Sequence, residues 1–280
     1  MTLAVSVGLH QLALRYDTFF IDQFGVLRDD RSAYPGANEA LLYLKSLGKT
    51  VIILSNSGRS GVYNAQRFEG MGFDRAGFDH FVTSGDVAYD VLKRENGASA
   101  APKNCLTISS GGDRNLSDRL GYIAVADAAH ADLVIVSGSD AEIVPLDVYR
   151  DMLRPAAMRN VACYCTNPDR HKLANGATAP GAGSIAGLYE ELGGEVRWFG
   201  KPHPDIYEHA LSLAGRPRSG DVVCIGDSLE HDIAGAKSVG LASCLVRTGI
   251  LSGASAKDLE SLAARYGATP DFVMTEFKKG

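Results

Sequence analysis

Acidic residues directly follow two apolar runs of the sequence. Asp22 ends the run "TFFID", and Asp227 comes directly after "VVCIG", with Asp232 a turn further along. Carboxylate oxygens are the ligands that a hard cation such as Mg²⁺ prefers, and a carboxylate can itself attack phosphorus to give an aspartyl-phosphate. These residues therefore predict phosphoryl transfer assisted by Mg²⁺.

Groups that could bind a phosphate stand at similar positions. Ser55 and Asn56 follow the run "VIIL", and Lys201 lies in "GKPHPDIY", just before a helical segment. A hydroxyl, an amide and a lysine would supply donors and positive charge to a transferring phosphoryl group, while Asp232 would orient Lys201 or water at the metal. Taken singly, Ser55 could be a helix cap and Lys201 a surface residue. Together these positions predict an active site.

The regions between these residues show the pattern of an α/β fold. Short, often β-branched apolar runs predict strands buried on both faces, namely "TFFID", "TVIIL", "HFVTS", "CLTIS", "DLVIV", "VACYC", "VVCIG" and "SCLVR". Segments with apolar residues at helical spacing alternate with them, namely "NEALLYLKSLG", "DVAYDVLKREN", "DVYRDMLRPAAM", "DIYEHALSLAG" and "KDLESLAARYG". This alternation predicts a parallel, Rossmann-like sheet, whose ligand site lies at the carboxyl ends of its strands.

Two passages rich in small residues, glycine and proline interrupt this alternation. They are "NGASAAPKN" at 96–104 and "NGATAPGAG" at 175–183, and such composition is typical of linkers and loops. We therefore predict an inserted α/β domain at about residues 99–186. Residues 1–98 and 187–280 would form one discontinuous core domain.

Composition excludes several classes of partner. The 280 residues carry a net charge of −5, and their lysines and arginines form no basic stripe that would bind nucleic acid. No apolar run is long enough to span a bilayer, and the N-terminus lacks the features of an export signal. We therefore expect a cytoplasmic protein whose five cysteines are reduced and whose partner is a small phosphorylated metabolite; a homo-oligomer stays open.

Four segments stand in order at the predicted strand ends: "IDQFGV", "ILSNSGRS", "GKPHPDIY" and "VVCIGDSLEHDIAGAKSVG". They resemble the four motifs of the haloacid dehalogenase (HAD) superfamily. The segments "YCTNPDRH" and "PGAGS" are similar to the signature of its NagD-like and p-nitrophenyl phosphatase branch. The resemblance implies a Rossmann-like core, a mobile α/β cap, dependence on Mg²⁺, and hydrolysis of small sugar, nucleotide-like or activated phosphates.

The resemblance also implies individual roles. Asp22 would be the nucleophile, Ser55 and Lys201 would bind the phosphate, and Asp227 would be a metal ligand. The main-chain carbonyl of residue 24 would complete the protein's part of the metal site.

The sequence departs from the family pattern at Phe24. Phosphatases of the family carry a second aspartate there, which protonates the leaving oxygen and later activates water. Phenylalanine keeps the backbone carbonyl but can do neither. Positioned acid–base catalysis contributes about 10²- to 10⁴-fold in rate, so we expect alkyl phosphates to be poor substrates. Asp29, Asp30 and His203 are candidates to replace the missing acid, and only their nearness in sequence to the motifs suggests them.

Two other functions stay open at this stage. Loss of the acid at residue 24 could leave a phosphometabolite-binding protein with a degenerate site. An aromatic residue there also resembles the dehalogenase branch, which attacks carbon without a metal. The intact segment "GDSLEHD", with Asp227, disfavours the dehalogenase.

Overall fold

A computed structural model of the protein describes residues 4–96, 101–174 and 177–279. Its strands are β1 (Val5–Ser6), β2 (Thr18–Asp22), β3 (Thr50–Ser55), β4 (His80–Thr83), β5 (Asn104–Ile108), β6 (Ile123–Ala124), β7 (Leu133–Val136), β8 (Ala162–Cys165), β9 (His171–Ala174), β10 (Ala177–Pro180), β11 (Val196–Trp198), β12 (Val222–Gly226), β13 (Ala242–Val246) and β14 (Phe272–Met274). Its α-helices are α1 (Leu9–Arg15), α2 (Ala37–Ser46), α3 (Gly61–Gly70), α4 (Ser84–Asn96), α5 (Asn115–Arg119), α6 (Leu146–Met158), α7 (Ala182–Glu191), α8 (Pro204–Leu213), α9 (Ala234–Ser238) and α10 (Ala256–Tyr266).

The first sheet has seven strands in the order β1-β14-β13-β12-β2-β3-β4. The pairings of β2 with β12 and with β3 are parallel, and every residue of β2 and β12 is buried. Alternate residues of these strands, such as Phe19 and Ile21, belong to the same hydrophobic core as Leu41 and Leu44 of α2. A strand covered on both faces needs an uninterrupted apolar run, which is the pattern that predicted it.

The second sheet has five strands in the order β11-β8-β7-β5-β6. Its pairings are parallel, and a core that includes Val134, Leu153 and Ile185 joins it to α6 and α7. A separate antiparallel pair, β9 with β10, follows β8. The predicted α/β class, with a parallel core sheet and a second α/β domain, is confirmed.

The chain divides into two compact units. The first comprises Met1–Ser55, Val62–Val82 and Lys201–Gly280, and the second comprises Asn56–Gly61 and Thr83–Gly200. The predicted insert ends at residue 186, whereas β11 pairs with β8 of the second sheet. Parts of both predicted linkers, residues 97–100 and 175–176, lie outside the described residues. The domain boundaries therefore stay a prediction.

All five cysteines are buried and free. Burial raises the pKa of Cys105 to about 11 and that of Cys165 to about 12, so these thiols are protonated near neutral pH and serve as packing groups. In the described ranges, each helix is too short or too polar to cross a membrane.

Candidate active site

Three neighbouring strands of the first sheet end at the candidate site. Asp22 is the last residue of β2, Ser55 is the last residue of β3, and Asp227 follows the last residue of β12. Because β12, β2 and β3 are adjacent and parallel, their carboxyl ends meet at one edge of the sheet. The side chains of Asp22, Asp227 and Asp232 each offer an oxygen within 4.8 Å of the others.

Lys201 lies among these carboxylates and is 3% exposed. Its Nζ donates a hydrogen bond to Asp22 Oδ1 and a second, 2.7 Å long, to Asp232 Oδ1. Burial alone would lower the pKa of Lys201, but the two carboxylates outweigh burial and raise it. The lysine is therefore a permanent positive charge that is paired rather than exposed to solvent.

Asp232 is held in place by the backbone around it. It lies in a π-helical turn, Leu229–Ile233, where the Ser228 hydroxyl accepts from the His231 N–H. Asp232 Oδ2 accepts from the Ser228 N–H at 3.1 Å, which leaves Oδ1 for Lys201. A side chain at Gly226 would overlap the Asp232 carboxylate. The turn thus holds the carboxylate to which Lys201 donates.

Asp227 lies in a space made by two glycines. A Cβ at Gly25 or at Gly249 would overlap its carboxylate, and both glycines have positive φ, +87° and +65°. Asp227 Oδ2 also accepts from the Ile250 N–H at 2.9 Å. The signals in the sequence are the glycines of "DQFGV" and "RTGI", and sequence reasoning assigned neither of them a part in the site.

The donor atoms of the cluster fit a hard divalent cation. Three carboxylates lie close together, but Lys201 pairs with only two of them, Asp22 and Asp232. Burial, together with the charges of Asp22 and Asp232, raises the pKa of Asp227 well above its usual value. A cation would offset this excess of negative charge, and carboxylate oxygens are its preferred ligands. The predicted metal ligands Asp22 and Asp227 therefore lie where a metal could be held.

Phe24 and Asn56, which were also predicted to belong to the site, each contact a different side chain. Phe24 is 36% exposed, and the Arg28 guanidinium carbon lies 5.1 Å from its ring centroid. Asn56 belongs to the second compact unit, where its Nδ2 donates to Asp169 Oδ1 at 2.8 Å. The role of Asn56 in substrate binding, like the other individual roles, stays a prediction.

Two of the candidates named for the missing acid, Asp29 and His203, are poorly suited to it. Asp29 Oδ1 accepts from the N–H groups of Arg31 and Ser32, and the pKa of Asp29 is lowered mainly by these bonds. It caps a turn as a carboxylate. Burial lowers the pKa of His203, so the imidazole is largely neutral at pH 7.

Comparison with known proteins agrees with this geometry. A haloacid dehalogenase-like hydrolase family model matches residues 19–123, and a HAD-hydrolase-like model matches residues 198–279. The ribonucleotide monophosphatase NagD of Escherichia coli K12 is 30% identical over 247 residues, which cover 86% of this chain and 90% of NagD. The chain belongs to the haloacid dehalogenase-like hydrolases.

Solved structures of similar proteins indicate the branch of the family to which the chain belongs. A haloacid dehalogenase-like hydrolase from Brucella suis is 26% identical with a TM-score of 0.81, covering 97% of this chain and 99% of that one. The p-nitrophenyl phosphatase from Archaeoglobus fulgidus is 27% identical with a TM-score of 0.72, covering 94% and 97%. The predicted HAD-family phosphatase of the NagD and p-nitrophenyl phosphatase branch is confirmed.

Replacing Gly25 tests whether this glycine makes room for Asp227. Gly25→Ala introduces a Cβ where the Asp227 carboxylate lies, in addition to backbone strain at φ +87°. We expect chemical denaturation to show a loss of about 1 to 3 kcal/mol of unfolding free energy beyond that of a control with strain alone, because overpacking costs this much. Gly48→Ala is that control, since Gly48 has φ +73° and nothing within 4 Å of its added Cβ. Equal losses would show that Gly25 serves the turn only.

Proposed function

We propose that this protein hydrolyses small phosphate monoesters, of sugar, nucleotide-like or activated type, with Mg²⁺ and through an aspartyl-phosphate on Asp22. The observation that supports this most is the buried cluster in which Asp22 and Asp227 offer oxygens within 4.8 Å of each other while Lys201 pairs with Asp22. NagD, whose name specifies ribonucleotide monophosphates, is similar over most of the chain.

Each residue of the cluster has a task in this reaction. The Asp22 carboxylate attacks phosphorus, and Lys201 offsets charge on the transferring group, since Asp232 holds its ammonium at that place. Ser55 donates a hydrogen bond to a phosphoryl oxygen. Mg²⁺, held by Asp22, Asp227 and the main-chain carbonyl of residue 24, would reduce the repulsion between the nucleophile and its anionic substrate.

Phe24 determines which leaving groups depart readily. Its ring supplies no proton, and Asp29 and His203 are poorly suited to supply one. A phenolate or a carboxylate leaves without a proton, whereas the alkoxide of a sugar does not. Activated phosphates are therefore the favoured substrates. Hydrolysis of the aspartyl-phosphate also lacks its usual base, so this second step is slow.

The cysteines bear on the cellular location of the enzyme. The buried free cysteines suit a reducing compartment, which supports a cytoplasmic location. The partner is the small phosphorylated metabolite itself. A phosphate-binding protein without turnover is the second candidate, because Phe24 removes the proton donor and leaves the rest of the cluster intact.

A panel of substrates tests the proposed activity. We expect p-nitrophenyl phosphate and acetyl phosphate to be hydrolysed in the presence of Mg²⁺, with an initial burst, and sugar phosphates to be hydrolysed about 10²-fold more slowly, because positioned acid catalysis is worth at least that factor. Asp22→Asn should abolish both activities. Similar rates on both kinds of substrate would show that another residue supplies the proton, and phosphate binding without turnover would favour the second candidate.

Calorimetric titration tests the metal site. Asp227→Ala should bind Mg²⁺ much more weakly than the wild type, because it removes a charged oxygen ligand. Asp17→Ala is the matched control. Asp17 comes directly before the first residue of β2, at the end of the strand away from Asp22, and its side chain is 77% exposed. An unchanged Mg²⁺ affinity in Asp227→Ala would show that the metal does not bind at this cluster.

Restoring an acid at residue 24 tests the role of Phe24. Phe24→Asp should raise turnover of alkyl phosphates more than turnover of p-nitrophenyl phosphate, because only the former needs the proton. Phe24→Leu removes the ring without adding an acid and should raise neither. A similar rise in both variants would mean that the ring obstructs the pocket.

A further inference from the structure

Gln23 is a buried polar residue next to the proposed nucleophile Asp22, and it has no task in the proposed reaction. It is 4% exposed. One end of its side-chain amide lies 3.4 Å from Ser55 Oγ, and the other end faces the guanidinium of Arg28. Gln23 therefore links a predicted phosphate-binding hydroxyl to a half-buried positive charge.

The chemistry of Arg28 determines which way the amide faces. A guanidinium has donors and no acceptor, so the end of the amide that faces it must be the oxygen. In this orientation the Gln23 oxygen accepts from Arg28 Nε at 2.7 Å and from Nη2 at 3.1 Å. The amide NH₂ group then faces Ser55 Oγ. Because this group can only donate, it engages a lone pair of the Ser55 hydroxyl and not its proton.

Arg28 is itself held by the loop that follows β2. Its Nη1 donates to the Asp29 carbonyl at 2.8 Å, and its guanidinium lies over the Phe24 ring. The Gly25 N–H donates to the Arg28 carbonyl at 2.8 Å, and the Arg28 N–H donates to the Gln23 carbonyl at 3.2 Å. The guanidinium and the backbone of Arg28 thus both have partners within this loop.

We propose that Gln23 is a positioning residue that keeps the Ser55 hydroxyl oriented as a donor to the transferring phosphoryl group, and that Arg28 acts through Gln23. This proposal rests on the proposed function of Ser55. The hydrogen bonds all run in one direction, from Arg28 to Gln23, from Gln23 to Ser55 and from Ser55 to the phosphoryl oxygen. A reversed amide would instead accept the Ser55 proton and withdraw it from the substrate. Aligned bonds in a buried site also strengthen one another.

The decisive variant is Gln23→Glu, which keeps the shape of the side chain but offers only acceptors when ionised. Ser55 would then donate to Glu, and we expect kcat for p-nitrophenyl phosphate to fall on the order of 10²-fold, as for loss of one donor to the transition state. In a Ser55→Ala background the same substitution should change kcat by no more than about twofold, because residues that act through one another are not additive. Equal falls in both backgrounds, or no fall with Ser55 present, would overturn the proposal.

Controls separate this role from charge and from folding. Gln66→Glu adds the same charge at an exposed position of α3 and should leave kcat unchanged. Gln23→Met removes both polar contacts without adding charge and should also lower kcat only when Ser55 is present. Thermal unfolding of each variant confirms that it is folded, and Gln23→Leu replaces Gln23→Met in the same cycle if the latter unfolds below the assay temperature.

A binding measurement keeps the proposal separate from the proposed activity. Calorimetric titration with inorganic phosphate and Mg²⁺ should show weaker binding in Gln23→Glu than in the wild type, and no such difference in the Ser55→Ala background. A wild type without turnover would refute the proposed activity, whereas the binding cycle would still decide the role of Gln23. Equal phosphate affinities in the wild type and in Gln23→Glu would overturn that role.

Discussion

The ion pairs of Lys201 with Asp22 and Asp232 are the interaction on which the candidate site depends. Burying several carboxylates side by side is unfavourable unless opposite charge is close to them. Lys201 is buried with them, and its pKa is raised because both carboxylates favour its charged form. Asp227 has no such partner among the contacts described, and its pKa is raised first by burial and then by the negative charges of Asp22 and Asp232. A bound cation would offset these charges.

The glycines around the cluster serve the same constraint. Gly25 and Gly249 leave space for Asp227, and Gly226 leaves space for Asp232. A carboxylate that must approach backbone this closely cannot tolerate a neighbouring Cβ. The loops after β2 and β13 and the last residue of β12 therefore leave room for two acidic side chains, and the parallel sheet brings these strand ends to one edge.

Phe24 lies at a position where membership of the family does not determine the substrate. The relatives establish the fold and the branch, but a fold shared by many enzymes does not fix the leaving group that each accepts. In this chain the ring contacts Arg28, and Arg28 contacts Gln23. Phe24 thus contacts a group of polar side chains that begins next to Asp22 in the sequence.

The sequence alone determined part of the local structure and named the residues of the candidate site. Apolar runs predicted β2, β3 and β12 closely, because a strand buried on both faces leaves few alternatives for residue type. The same runs placed Asp22, Ser55 and Asp227 at strand ends. Lys201 was predicted from its motif, because a lysine that precedes a helix is not by itself evidence of an active site.

Only the tertiary structure decided what these residues touch. Strand β12 lies beside β2 although about 200 residues separate them, and β11 joins the second sheet, since pairing depends on long-range contacts that no local pattern encodes. The contact of Asp227 with the Ile250 N–H and the direction of the Gln23 amide are likewise set by neighbours distant in sequence or by side-chain geometry. Residue type states which hydrogen bonds a group can make, and the fold selects which of them it does make.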